Sequence, residues 1–145
     1  MPSRVALYLD YENVSDVELV ENCIGFAISQ GEIVIQNAYT KQWRNSRTDG
    51  NFLRRLGFSL VNVILNIKNS VDCKCMFDCM DALQDKSSPD VFIFVTGDGD
   101  YAHLLNILNG HHKRTVVFAR RGSGSRKLRR VAHEFYFLDE VFAFA

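Results

Sequence analysis

Apolar and polar positions along this chain follow two rhythms, and the rhythm switches repeatedly between them. Arg4–Leu9 is a short apolar run with β-branched and aromatic content, which predicts a buried strand. Ser15-Asp16-Val17-Glu18 has the form of a capping box, a hydroxyl at the N-cap and a carboxylate three residues on. The helix it opens carries Val17, Val20, Ile24 and Ala27/Ile28 at helical spacing, with Gly31 as its stop. Ile33–Tyr39 reads as a second strand, Trp43–Thr48 as a polar loop, and Asp49–Leu56 as a helix ending at Gly57. Ser59–Leu65 reads as a third strand. From Asp72 to Gln84, Cys75, Met76, Cys79 and Leu83 make a helical stripe, which Ser87-Ser88-Pro89 breaks. Val91–Val95 is continuously apolar, as a strand buried on both faces of a parallel sheet must be. Asp100–Leu108 reads as a helix closed by Gly110, Thr115–Ala119 as a fifth strand, Arg126–Ala132 as a short helix, and Glu134–Leu138 as a sixth, edge strand.

Strand and helix therefore alternate, without a two-residue hairpin turn and without an internal repeat. That pattern predicts an α/β three-layer sandwich around a mostly parallel sheet of five or six strands, in the order 3-2-1-4-5. No domain boundary is visible, so residues 1–145 read as a single domain; Gly122-Ser123-Gly124-Ser125 is the one low-complexity patch. With 47% apolar residues, including eleven Phe and five Tyr, the chain can bury a core without staples. This excludes disorder, a collagen-like fibre and a disulfide scaffold. No apolar run is long enough to span a bilayer, and the opening residues are too short an apolar stretch for a signal peptide. The expected location is the cytoplasm, with no membrane partner.

In open parallel sheets, ligands bind outside the carboxyl ends of the strands, where the strand order reverses. Asp10 ends the first strand, and Asp98 and Asp100 follow the fourth in Thr96-Gly97-Asp98-Gly99-Asp100. In the order 3-2-1-4-5 those strands are neighbours, so three carboxylates distant in sequence converge on one crevice. Clustered carboxylates repel each other and resist desolvation; a hard dication such as Mg²⁺ resolves the conflict. The plainer reading makes Asp98 and Asp100 turn residues, with Asp100 an N-cap. Asn13 could hold a phosphate or a water, or be a turn amide. Asp72 stands at the start of its helix, as a further carboxylate for the crevice or as a plain N-cap. Asp78, six residues on, is about 240° around that helix from Asp72. Both reach one site only if Asp72 precedes the regular helix.

The 17 Lys and Arg balance 17 Asp and Glu, but unevenly. Seven Asp lie between Val71 and Asp100 against two lysines, and eight Lys/Arg lie between His111 and His133 with no acid. Such blocks are often solvated faces. Here Arg120, Arg121, Arg126, Lys127, Arg129 and Arg130 could instead form a positive rim for backbone phosphates. Trp43, with Arg44 and Arg47, could stack on and clamp single-stranded bases, or simply pack. Cys73, Cys75 and Cys79 invite a zinc reading, but Cys75 and Cys79 lie on the apolar stripe, where a free thiol is commonly buried. His103 and His133 read as structural. The tail Val141–Ala145 could cover a sheet edge or a second subunit in a homodimer.

Leu7-Tyr8-Leu9-Asp10-Tyr11-Glu12-Asn13-Val14, Lys68-Asn69-Ser70-Val71-Asp72 with Asp78, and Thr96-Gly97-Asp98-Gly99-Asp100-Tyr101 together resemble the NYN domain. Within the PIN-like nuclease superfamily, these residues look most like the LabA-like branch. Ser125…Leu128…Ala132-His133-Glu134-Phe135…Leu138 is similar to the family's closing helix and strand. The resemblance implies a PIN-like sandwich and a metal-dependent ribonuclease, read as an endoribonuclease, with Mg²⁺ or Mn²⁺ and single-stranded RNA as substrate. Asp10 matches the first-strand aspartate, Asn13 its companion amide, Asp72 and Asp78 the middle-helix aspartates, and Asp98 and Asp100 the pair after strand four. On this reading Asp10, Asn13, Asp72, Asp98 and Asp100 are catalytic, and all five aspartates belong to the metal shell. Thr96 stands where a Ser is usual and Tyr101 where a Phe is usual; no acidic position is lost. Two other classes compete. A phosphatase or receiver domain shares the sheet, but Glu12 stands where the phosphatase pattern needs a second Asp. A non-catalytic RNA-binding or regulatory scaffold would use the same crevice.

Overall fold

A strand covered by helices on both sides is apolar along its middle, and β1 (Arg4–Asp10), between its two charged ends, and β4 (Val91–Val95) obey that rule. The computed structural model describes residues 2–63, 70–122 and 126–140. Besides those two strands it contains β2 (Glu32–Thr40), β3 (Ser59–Asn62), β5 (Arg114–Ala119) and β6 (Glu134–Phe137). All six pair in parallel, in the order β3-β2-β1-β4-β5-β6. The expected order holds, with the sixth strand added at the edge beside β5.

Side chains alternate across this sheet. Val5, Leu7 and Leu9 of β1 and Val91, Ile93 and Val95 of β4 point into one core, shared with α1 (Val17–Gln30) and α2 (Arg47–Arg55). Ala6 and Tyr8, and Phe92 and Phe94, point into the other. That second core is closed by α3 (Ser70–Gln84), α4 (Ala102–Gly110) and α5 (Arg126–Val131). Cys75 and Cys79 are buried there, so the cysteine stripe is a packing stripe. Among the described residues, no helix is long and apolar enough to cross a membrane.

Several element ends differ from the sequence reading. Ser15 is not the N-cap of α1; Asp16 holds that position and its side chain caps nothing. Trp43–Thr48 is not a loop. Trp43–Ser46 winds as a 3₁₀ turn straight into α2, because Trp43 is apolar enough to be drawn under the helix. Gly110 does not close α4: the helix includes it, and the left-handed residue that follows is His112, at φ 62°. The third strand ends at Asn62. The rest of its expected span beyond Val63, the Lys68-Asn69 part of the middle motif, Ser123–Ser125 and the tail Val141–Ala145 lie outside the described residues.

Gly31 does end α1, for a reason of space. A Cβ built there would stand 2.1 Å from the Ser3 carbonyl oxygen, part of the backbone that leads into β1. The Glu32 N–H donates to that same carbonyl at 2.8 Å, so the close approach starts the β1–β2 ladder. Gly31→Ala should therefore lower the unfolding free energy by about 2–4 kcal/mol in urea titrations, whereas Gly110→Ala, with open space around its Cβ, should not.

Candidate functional site

The period of two along β1 puts Asp10 on the face of Ala6 and Tyr8, toward α3. Leu9 is paired with Val95, so the residue after β4, Thr96, arrives beside Asp10. The Thr96 hydroxyl donates to Asp10 Oδ2 at 3.1 Å and accepts from the Asp98 N–H at 3.2 Å. One hydroxyl thus ties the end of β1 to the turn after β4. The turn tightens further as Asp98 Oδ1 accepts the Asp100 N–H at 2.9 Å, making Asp98 the cap of a 3₁₀ turn over Gly99–Tyr101. Asn13 closes the other side. Its Oδ1 accepts the Gly97 N–H at 2.6 Å, and its own N–H reaches Asp10 Oδ1 at 3.3 Å.

From the opposite layer, the first turn of α3 delivers Asp72. Asp10, Asp72 and Asp98 each offer an oxygen within 4.8 Å of the others. Asp10 and Asp72 are only 4% and 6% exposed, and Asp72 Oδ2 is buried without a hydrogen-bond partner among the described residues. Beneath them the floor is apolar and buried. Tyr8 stacks on Phe94 at 5.3 Å, and the Tyr8 and Tyr101 hydroxyls meet only the weakly polar thiols of Cys79 and Cys75. Burial pushes Asp10 up from 3.8 to about 6, against the opposing pull of the Thr96 and Asn13 hydrogen bonds. Burial raises Asp72 further, helped by the Asp98 carboxyl, close enough to share a proton, and by the charge on Asp10.

The structure does not bring every expected residue into this group. Asp78 is held elsewhere. Its Oδ2 accepts the Tyr39 hydroxyl at 2.8 Å and its Oδ1 the Lys74 ammonium at 2.8 Å, so it pins α3 to the end of β2 and its charge is already answered. The geometry behind this is the turn angle between Asp72 and Asp78 along one helix. Asp100 lies exposed on the rim, outside the three-acid group, though its charge bears on Asp72.

Trp43 offers no open stacking face. It is 6% exposed, its ring packs on Tyr11 at 4.7 Å, and its indole N–H donates to the Val61 carbonyl. Arg44 and Arg47 are exposed above it. In the basic segment, Arg121 is engaged by Asp139 and Glu140, Arg120 stands 3.9 Å from Asp16, and Arg129 lies over Phe135 and Phe137. Arg126, Lys127 and Arg130 are exposed on α5, which packs against the Gly99–Tyr101 turn. His133 is structural, its Nδ1 accepting the Thr115 N–H at 3.0 Å.

Sequence reasoning misses Thr96 and the Tyr39–Lys74 pair as participants. The Thr96 role follows only once Leu9 and Val95 are known to be paired. Tyr39 had a weak signal, a phenol at the end of a strand facing a helix that carries an acid.

An all-parallel sheet with acids from neighbouring strand ends at the point of reversal is the architecture of a PIN-like domain. The NYN domain family profile matches residues 4–139, and the chain belongs to that family. Among solved structures, a protein of unknown function from Vibrio parahaemolyticus is similar over 97% of this chain and 95% of its own, at 22% identity and a TM-score of 0.77. That likeness speaks for the fold. Comparison with curated protein sequences gives no match.

A carboxyl whose pKa is higher in the folded than in the unfolded state binds more protons when folded, so stability falls as pH rises between the two values. For Asp10 that window runs from 3.8 to about 6, and Asp72 extends it upward. In metal-free buffer the melting temperature should therefore decline from pH 4 toward neutrality. Asp72→Asn should flatten that decline and melt several degrees higher than the parent protein at pH 8, as scanning calorimetry would record.

Proposed function

We propose that this chain, read as one NYN domain over residues 1–145, is a divalent-metal-dependent phosphodiesterase that cleaves single-stranded RNA internally. The observation that carries the reading is the convergence of Asp10, Asp72 and Asp98 within 4.8 Å, with a buried Asp72 oxygen that has no hydrogen-bond partner among the described residues. Three converging carboxylate oxygens suit a hard cation, and Mg²⁺ or Mn²⁺ fits such a set when waters and a phosphate oxygen complete it. The chemistry a bound ion supplies there is activation of a water for in-line attack and stabilisation of charge on the phosphate.

The chain's own groups prepare the site. Asp10, Asp72 and Asp98 would hold the ion. Thr96 fixes the Asp10 carboxylate through its hydroxyl and the Asp98 turn through its oxygen. Asn13 uses Oδ1 on Gly97, which leaves Nδ2 to donate to a phosphate oxygen. Asp100, at the rim, would orient water. Asp78 acts at a distance by holding α3, and so Asp72, in place. Arg126, Lys127 and Arg130 on α5 would meet backbone phosphates, with Arg120, Arg121 and Arg129 contributing charge beside their present partners. A cytoplasmic site of action goes with an RNA substrate and with four unpaired cysteines.

Purified protein incubated with single-stranded RNA should cleave it only when Mg²⁺ or Mn²⁺ is added. Asp10→Asn and Asp98→Asn should each lower the rate by at least about 100-fold, the scale expected when a charge-stabilising group is removed. Mn²⁺ should also raise the melting temperature at pH 7.5, and by much less in Asp72→Asn. RNA binding without cleavage under either metal would make the domain a scaffold. Phosphate release from small monoesters but not RNA would make it a phosphatase.

A further inference from the structure

A second feature lies along the same edge of the sheet, two strands from the acids. A cleft of about 460 Å³ opens between α2 and the end of β3, lined by Arg44, Arg47, Asn51, Arg54 and Asn62 above a floor that includes Trp43 and Leu60. Residues 44, 47, 51 and 54 recur at i, i+3, i+7 and i+10, the spacing by which helices usually bury an apolar stripe. Here that stripe is Arg, Arg, Asn, Arg. Arg44, Arg47 and Arg54 have no carboxylate partner among the described residues, in contrast to Arg114, Arg120 and Arg121. The one nearby acid on α2, Asp49, is taken by the Tyr11 hydroxyl.

Two of these cations sit where helix electrostatics disfavours them. Arg44 and Arg47 flank the N-terminal end of α2, the positive end of its dipole, so an anion arriving there is attracted by both. Asn62 is oriented for the same purpose. Its Oδ1 is fixed by the Trp43 N–H at 2.9 Å, which leaves its two amide protons to donate. A second cleft of about 350 Å³ shares Arg44 and Asn62 and adds Lys41, which extends the positive surface from the end of β2.

From this arrangement we infer that the α2 cleft binds the sugar–phosphate backbone of the RNA strand on the β2–β3 side of the acidic centre. The inference rests on RNA being the substrate, and it changes the role of this region from base clamp to phosphate track. No ring is presented for stacking, because Trp43 is the floor and its N–H is spent on Val61. The lining offers guanidinium and amide donors, which suit phosphate oxygens of any sequence. Tyr11 links the cleft floor to the centre: it follows Asp10 directly, packs on Trp43 and donates to Asp49. Binding through these groups is sequence-tolerant and strongly salt-dependent.

The test is fluorescence anisotropy with short labelled oligo(U) and oligo(A), in EDTA, across a potassium chloride series. Arg47→Ala/Arg54→Ala should bind both oligonucleotides about 10-fold more weakly. Its plot of log affinity against log salt should be less steep by about 1.4, or about 0.7 for each phosphate left without its cation. Arg47→Lys/Arg54→Lys should restore the slope, since counterion release follows charge. An unchanged slope in the alanine variant, a weakening confined to one base type, or failure of lysine to restore the slope would each overturn the inference. Both arginines are exposed, and circular dichroism checks the fold of each variant. Because no metal is present, the result stands apart from cleavage. A protein that cleaves RNA with metal but keeps its slope in the alanine variant loses the cleft alone. One that never cleaves yet shows the slope change keeps the cleft and loses the nuclease.

Discussion

Carboxyl groups crowded over an apolar floor are the constraint on which the carboxyl edge of this sheet depends. Asp10 and Asp72 come from opposite layers and meet Asp98 above aromatic rings and thiols that cannot solvate them. Such an arrangement is unfavourable by itself and needs fixed geometry to persist. The Thr96 hydroxyl, the Asn13 amide and the Asp98 cap supply it, each joining a strand end to the turn beside it. The rest of the fold serves to bring those few groups to one place.

Charge is distributed around that centre in a way the neutral total conceals. Acids occupy the middle of the sheet edge. Arginines flank it on both sides, on α2 beyond β2 and β3 and on α5 beyond β5. The two flanks differ in kind. On the β5 side, much of the basic segment is already engaged by Asp139, Glu140 and two phenylalanine rings. On the α2 side the guanidinium groups face an open cleft.

The fold was legible because its signals are long and redundant. Val91–Val95 is best explained as a buried strand, and the alternation of elements points to a mostly parallel sheet. The ends of elements were less so. The left-handed residue after α4 is a histidine rather than the glycine two positions earlier, and the expected cap of α1 yields to its neighbour. At the site, Asp10, Asp72 and Asp98 could be picked out because their positions at strand and helix ends are set by topology. The fate of Asp78 could not, since nothing local says that Tyr39 and Lys74 will reach it first. The same holds for Trp43: an aromatic beside two arginines suits both a stacking platform and a floor. The burial of its ring against Tyr11 decides between them.

β1 comes first in chain order among the strands of this sheet and is one of its two central strands, hydrogen-bonded to β2 on one side and to β4 on the other. Its second neighbour is synthesised some 86 residues later, as the separation of Asp10 from Thr96 measures. During translation β1 can therefore gain one partner early and must wait for the other, with one edge of its apolar ladder open in the meantime. The acidic cluster cannot assemble in that interval, because Thr96 and Asp98 are not yet part of the fold. A nascent chain thus lacks this centre until β4 and the turn after it have emerged, and a chain truncated before β4 has no route to it.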